Sequence, residues 1–377
     1  MVLESWRRPS GNNMGWFNLK SMLLLSFLTF KLIEWSSYWL PIWDMLSYVM
    51  ILGASYWFGF VAYRWLKRDY LALKIASYRK AVLITGCDTG FGNMLARNLA
   101  PRGFQVLAGC LDPQSSESLK LQAIPNIDVI GLDVTEQYSC EEAFREAALK
   151  LEKSQNDLWA VICNAGVCEI GELEWQSFEA IQRVLDVNVM GTIRTVRTFL
   201  PMLRKTKGRI VLNASILCNF SSPGFVAYSM SKAAVASLGE GLKRELQVWD
   251  IDVCTVQPVL YNTGLLRLDE VKSEFLNEAI NKLPENLRQD YGPEYFIGFW
   301  NKMSKFVREN ANSQPDQAVK MLCHAITTVW PETHYRVGSW KQRIFYNILD
   351  FMPIEVVDLC FEKLMRNPVE PNALLKS

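Results

Sequence analysis

Residues 81–92 read AVLITGCDTGFG: four apolar residues and Thr85, then a turn with glycine at 86, 90 and 92. A short apolar run of this kind is the signature of a strand covered on both faces. Glycines at those places let the chain turn tightly and bring its backbone against a pyrophosphate. The N-terminus of the following helix favours that anion through its free amides and dipole. Alone, three glycines would say little; between a strand and a helix they mark a dinucleotide site.

Five further apolar runs follow: FQVLAGCL (104–111), IDVIGLDV (127–134), LWAVICNAG (158–166), RIVLNAS (209–215) and IDVCTVQP (251–258). The segments between them, at 93–101, 141–153, 178–205 and 227–248, have helical length and a polar face. Such alternation predicts an α/β fold, a doubly wound parallel sheet of the Rossmann type. The second run ends near Asp112, whose carboxylate can bond the adenosine ribose hydroxyls and repel a ribose phosphate; this favours NAD and leaves NADP open. Asp133 and Val134, closing the third run, are expected to face the adenine.

The N-terminal 70 residues read differently. Residues 45–63 (MLSYVMILGASYWFGFVAY) carry no charge and at about 1.5 Å per residue reach roughly 28 Å, enough to cross a bilayer's hydrocarbon core. Trp39, Trp43, Trp57 and Trp65 lie near its ends or within it, and Arg64, Lys67 and Arg68 follow, a basic flank expected in the cytosol. A buried core helix fits so long an uncharged run less well. The earlier run at 21–30 is too short to span alone and suits an interfacial helix, its crossing left open. A signal peptide fits poorly, with Ser36-Ser37 the only weak cleavage candidate.

Lys and Arg number 40 against 39 Asp and Glu, a formal charge of +1, which gives no electrostatic ground for nucleic-acid binding and leaves a small molecule as default partner. Nine dispersed cysteines lack the short paired spacings of zinc or redox sites, so no metal is expected. His324 and His334, the only histidines, make a metal centre or a Ser-His-Asp triad hard to build.

The turn at 85–92 has the form TGxxxGxG, and Asn164-Ala165-Gly166, Asn188, Ser215 and Tyr228-Ser229-Met230-Ser231-Lys232 follow in order. Over residues 81–265 the chain resembles the short-chain dehydrogenase/reductase family. The turn's particular form, with Asp290-Tyr291-Gly292, His324-Ala325, PETHYRVG (331–338) and Met352-Pro353, is similar to the branch holding retinol, 17β- and 11β-hydroxysteroid and 3-hydroxybutyrate dehydrogenases. The resemblance implies a nicotinamide cofactor on Gly86, Asp88, Gly90, Phe91, Gly92, Asn164, Ala165, Gly166, Pro258 and Thr263, with Tyr228 and Lys232. It implies Asn188, Ser215, Tyr228 and Lys232 as the catalytic set.

Tyr228 and Lys232, four apart, share a helix face. A free phenol has a pKa near 10, and an adjacent ammonium with the positive nicotinamide is expected to favour phenolate, so that Tyr228 takes an alcohol proton near neutral pH. Ser215 would bond the substrate oxygen, and Asn188, by resemblance, a water linking Lys232 to solvent. Val259 stands where the family commonly has Gly after Pro258, a Cβ that narrows the approach to the nicotinamide.

The expected organisation is an anchor (1–70), a dehydrogenase domain (78–340) with a substrate lid at 265–312, and a membrane-associated tail (341–377) whose mixed apolar and basic residues suit an interfacial segment. The leading function is hydride transfer between NAD(P) and a hydrophobic alcohol or ketone such as a steroid or retinoid. The place expected is the endoplasmic reticulum membrane with a cytosolic catalytic domain, the mitochondrial membrane being the alternative. A 3-hydroxybutyrate-type dehydrogenase is the second reading and a non-catalytic membrane scaffold the third. Related proteins are usually homodimers through the helices carrying Asn188 and Tyr228.

Overall fold

The computed structural model describes residues 12–37, 45–66, 73–261 and 283–375. Two compact units divide the chain: 1–76 with 327–330, and 77–326 with 331–377. The smaller holds helices α1 (Asn12–Ser37) and α2 (Met45–Trp65), packed on each other, and an isolated bridge between Lys74 and Thr328. α2 covers the expected apolar run, whereas α1 extends well beyond 21–30. Among the described residues no helix is long and apolar enough to cross a membrane.

In the larger unit the six expected strands form as β1 (Lys80–Thr85), β2 (Gln105–Cys110), β3 (Ile127–Gly131), β4 (Asp157–Cys163), β5 (Arg209–Asn213) and β6 (Asp252–Pro258). A seventh, β7 (His334–Val337), closes the edge, and the parallel sheet has the order β3-β2-β1-β4-β5-β6-β7. β1 pairs with both β2 and β4, so the strand order reverses between β1 and β4. In HYRV only Tyr335 and Val337 are buried, an alternation too short to announce a strand.

Helices α3 (Gly90–Leu99), α4 (Ser116–Gln122), α5 (Gln137–Ser154), α6 (Phe178–Leu185), α7 (Gly191–Thr206) and α8 (Val226–Glu245) connect the strands. Ser115 and Ser177 cap α4 and α6 by accepting backbone N–H groups three residues on. The single helix expected over 178–205 is interrupted by a π-turn at Asp186–Met190. One core face joins Leu83, Leu107, Val161 and Ile210 of the sheet to Ala147 of α5 and Phe199 and Leu203 of α7. Each such leucine, isoleucine, valine or phenylalanine contributes about 1.5–3 kcal/mol on burial.

Beyond the sheet lie α9 (Glu285–Tyr291), α10 (Pro293–Asn310), α11 (Asp316–Thr327), α12 (Trp340–Leu349), α13 (Ile354–Met365) and the short α14 (Asn372–Leu375). The aromatic stripe of the expected lid is mostly packing: Tyr291, Tyr295, Phe296 and Phe299 surround Trp175 edge-on, with centroids 4.9–5.7 Å away. Residues 262–282 of that lid lie outside the described set. The tail belongs to the same compact unit as the sheet.

Candidate active site

At the end of β1 the Thr85 hydroxyl accepts the backbone N–H groups of Asn164 (3.0 Å) and Ala165 (2.9 Å), just past β4. The Asn164 amide in turn donates to the carbonyls of Thr85 and Gly86, both at 3.0 Å. These bonds fix the glycine turn at the reversal of strand order, where open α/β sheets place ligands. Gly86 and Gly90 take φ of 68° and 61°, values that favour glycine. A Cβ at Gly92 would stand 2.2 Å from the Gly86 carbonyl oxygen, so α3 meets the turn through bare backbone, while the space around Gly90 is open. A packed inner face and an open outer one at a helix N-terminus fit a pyrophosphate, and so NAD(P).

Asp88 holds this turn to the end of β2, its carboxylate accepting the N–H groups of Leu111 (3.1 Å) and Asp112 (3.0 Å). The Asp112 carboxylate accepts the Gln114 N–H at 2.9 Å. Asp133 accepts both the N–H and the hydroxyl of Thr135.

Asn188 sits in the π-turn, a deformation that recurs at functional sites. Its oxygen accepts the Val167 N–H (2.8 Å), and its amide donates to the Val167 carbonyl and the Ser231 hydroxyl, both at 2.9 Å. Ser231 donates onward to the Tyr228 carbonyl at 2.7 Å. The side chain of Asn188 thus braces the loop after β4 against α8.

Ser215 follows β5, its hydroxyl accepting the Leu217 N–H at 3.2 Å. Lys232 lies one helical turn beyond Tyr228, its Nζ 5.6 Å from the phenol ring's centroid and donating to the Asn213 carbonyl at 2.9 Å. Gly166 leaves room for both braces: a Cβ there would be 3.2 Å from Asn188 Oδ1 and 3.4 Å from Lys232 Nζ.

The electrostatics differ from the expectation that the ammonium sets the phenol. Burial pushes the Tyr228 phenol well above its ordinary range, the Cys168 thiol adds to the rise, and a hydrogen bond from Ser215 opposes it. Burial also pulls the Lys232 ammonium from its ordinary 10.5 down to about 8. The folded chain therefore gives up this proton before the unfolded chain does, so Lys232 adds stability as pH rises from about 8 toward 10.5. Melting curves of the cofactor-free protein should show that gain, and Lys232→Met should lack it. Identical pH profiles for the two would place the ammonium in water.

One cavity of ≈ 940 Å³ gathers the chemistry: Gly86, Asp88, Gly90, Phe91, Asp133, Val134, Asn164, Ala165, Gly166, Ser215, Tyr228, Lys232 and Pro258 line it. Gly92, Asp112 and Asn188 are not among its lining residues, and Thr263 lies outside the described set. Val259 lines it too, and across the β6–β7 ladder a Cβ at Gly338 would stand 2.8 Å from Val259 Cγ1. The branched side chain at 259 is matched by a missing one at 338.

Three positions escaped sequence reasoning. Thr85 and Asn213 act through contacts far away in sequence, and Ser231 stands inside the Tyr-to-Lys motif, where its place three residues after Tyr228 was the available signal. The tail's part in the cavity was not read from the sequence either: Phe345, Tyr346 and Leu349 of α12 and Phe361 and Leu364 of α13 line it.

A dinucleotide cradle that shares a cavity with a buried serine, tyrosine and lysine defines an NAD(P)-dependent oxidoreductase acting on CH–OH groups. The profile of the family described as short chain dehydrogenase matches residues 80–272. Human 17-beta-hydroxysteroid dehydrogenase type 6 is 31% identical over 316 residues, 83% of this chain and 98% of that protein. The mitochondrial D-beta-hydroxybutyrate dehydrogenase of Rattus norvegicus is 32% identical over 298 residues, 78% and 86% of the two chains. A solved short chain dehydrogenase/reductase from Burkholderia phymatum in complex with NAD has the same fold, with TM-score 0.59 and 23% identity over 79% of this chain and 99% of that one. The chain belongs to the short-chain dehydrogenase family.

Proposed function

We propose that this enzyme uses NAD to oxidise a neutral, hydrophobic alcohol such as a steroid or retinoid. The two curated relatives differ in substrate, one a hydroxysteroid and the other a small anionic hydroxy acid, so the cavity must decide. The carrying observation is its apolar remainder, walled by Leu217, Phe220, Phe306, Phe345, Tyr346 and Phe361. Besides Lys232, the cations lining it among the described residues are Arg183 and Lys341. Arg183 is paired with Glu169 at 3.0 Å and Lys341 lies over the Trp340 ring, a poor cage for a carboxylate. Beyond these three, no cation among the described residues lines the cavity to receive a ribose phosphate, which supports NAD over NADP.

In the proposed mechanism the Ser215 hydroxyl orients the substrate oxygen and Tyr228 takes its proton. Lys232 would hold the nicotinamide ribose, and Gly86, Gly90 and Phe91 would hold the pyrophosphate. NAD(P), when bound, supplies the hydride acceptor and a positive charge that helps the buried phenol ionise. The surrounding apolar walls exclude water from the reacting carbon.

Full-length protein in detergent should reduce NAD with steroid or retinoid alcohols; turnover confined to 3-hydroxybutyrate would sink this substrate assignment. Tyr346 stacks on Phe220 at 5.3 Å. Tyr346→Asp is therefore expected to raise KM for an apolar alcohol about tenfold or more, with NADH affinity nearly unchanged. Equal losses in both would mean a folding defect instead of a substrate contact.

We place the enzyme in the endoplasmic reticulum membrane with its catalytic unit in the cytosol. Supporting this, the smaller unit exposes many large apolar side chains, and α12, α13 and their connection expose Trp340 (68%), Phe351 (86%), Ile354 (70%) and Leu359 (66%) on segments that also wall the cavity. A cavity whose walls rest on lipid can receive a poorly soluble alcohol without passage through water.

A further inference from the structure

Taken one at a time, neither described helix of the smaller unit is long and apolar enough to cross a membrane. Their packing, however, inverts the arrangement that water imposes on a helix pair. The face α2 turns inward recurs every fourth residue, at Ser47, Ile51, Ser55, Gly59 and Tyr63, and Ser55 is 1% exposed. Opposite it, a Cβ at Gly59 would stand 2.6 Å from Ser26 Oγ and 2.9 Å from its backbone nitrogen, so the helices touch almost backbone to backbone. Thr29 donates across the pair to the Ser55 carbonyl at 3.1 Å. The hydroxyls of Ser26 and Ser55 are buried with no partner. Outside stand Leu24 (59%), Phe27 (54%), Leu32 (65%), Val49 (60%), Met50 (64%) and Trp57 (58%).

In water such a pair would bury its leucines and phenylalanines and expose its serines. Small residues inside and large apolar ones outside is the arrangement of helices whose solvent is hydrocarbon, where association depends on close backbone approach and interhelical hydrogen bonds. Pairing also buries the hydroxyls of Ser26 and Ser55, while Lys31, 53% exposed, is matched by Glu34 on its own helix.

Charge gives the direction. Arg7, Arg8 and Lys20 stand before or early in α1, Arg64 lies in the last turn of α2, and Lys67 and Arg68 follow it in the sequence. Residues 38–44, YWLPIWD, contain no lysine or arginine. The basic residue nearest that connection, Lys31, is paired with Glu34. A connection this short makes the helices antiparallel. At about 1.5 Å per residue, α1 reaches roughly 39 Å and α2 roughly 31 Å, each long enough for a hydrocarbon core of about 30 Å.

We propose that α1 and α2 enter the bilayer together as a helical hairpin, with acyl chains covering their outer faces. The residues before α1 and those after α2 lie on the cytosolic side, and 38–44 on the opposite side. The inference rests on the membrane location proposed above and replaces a single span preceded by an interfacial helix with two paired crossings.

Full-length chains bearing an N-glycosylation acceptor on a flexible arm, placed before Asn12, between residues 38 and 44, or after Ser377, would be translated with microsomes and then extracted at alkaline pH. Glycosylation of the 38–44 acceptor alone is the expected result. Glycosylation before Asn12 overturns the hairpin in favour of a single span. Glycosylation of none, in a chain that resists extraction, overturns the crossing while leaving membrane attachment intact. A chain released by extraction overturns the membrane location itself.

Discussion

Tyr228→Phe is expected to lower kcat about a thousandfold, while NADH affinity stays within a few-fold of the parent. The substitution deletes one hydroxyl and keeps the ring, so the packing of α8 and the 5.6 Å relation to Lys232 should survive. What goes is the proton acceptor, and with it the partner of the Ser215 hydrogen bond. Burial makes this group costly to ionise, so no nearby water or thiol should substitute for it. Cys168, the half-buried thiol by the phenol, is itself held well above its ordinary range by desolvation. Steady-state rates with NADH fluorescence titration check the prediction, and a variant retaining a tenth of parental turnover would remove Tyr228 from the proton's path.

Gly92→Ala should produce the second large effect, on binding instead of chemistry. The added Cβ would meet the Gly86 carbonyl oxygen at 2.2 Å and the Asn164 amide at 2.7 Å. Neither can yield without moving the turn, and overpacking of this kind costs about 1–3 kcal/mol. NADH affinity should fall at least about tenfold and the melting temperature by several degrees. Gly90→Ala is the comparator: its Cβ meets nothing within 4 Å, leaving only the strain of φ 61°. Gly92→Ala binding NADH as tightly as Gly90→Ala would mean that the turn tolerates displacement.

The sheet was readable because most residues of β1 to β6 are buried, so burial wrote itself into short, mostly apolar runs. β7 was hidden because an edge strand of four residues needs only Tyr335 and Val337 inside. The π-turn at 186–190 was equally silent, since DVNVM contains neither proline nor glycine to mark a break. Of the site, the residues with ordered spacing were legible: the glycines, Ser215, Tyr228 and Lys232. What binds them to one another was not, because Thr85 meets Asn164 across 79 positions and Asn188 meets Ser231 across 43. The π-turn and the loop that carry these pairs have no periodic signature. The tail's share of the cavity was hidden for another reason. Apolar residues around α12 and α13 serve both the cavity and the outer surface, and a helix apolar on both sides reads as one that rests on lipid.

That late placement of the cavity wall bears on how the enzyme is made. Every described group of the cradle, with Ser215, Tyr228 and Lys232, has been synthesised by residue 261, while Phe345, Tyr346 and Phe361 follow later in the chain. The groups of the cofactor cradle are thus all made before the last wall of the alcohol site exists.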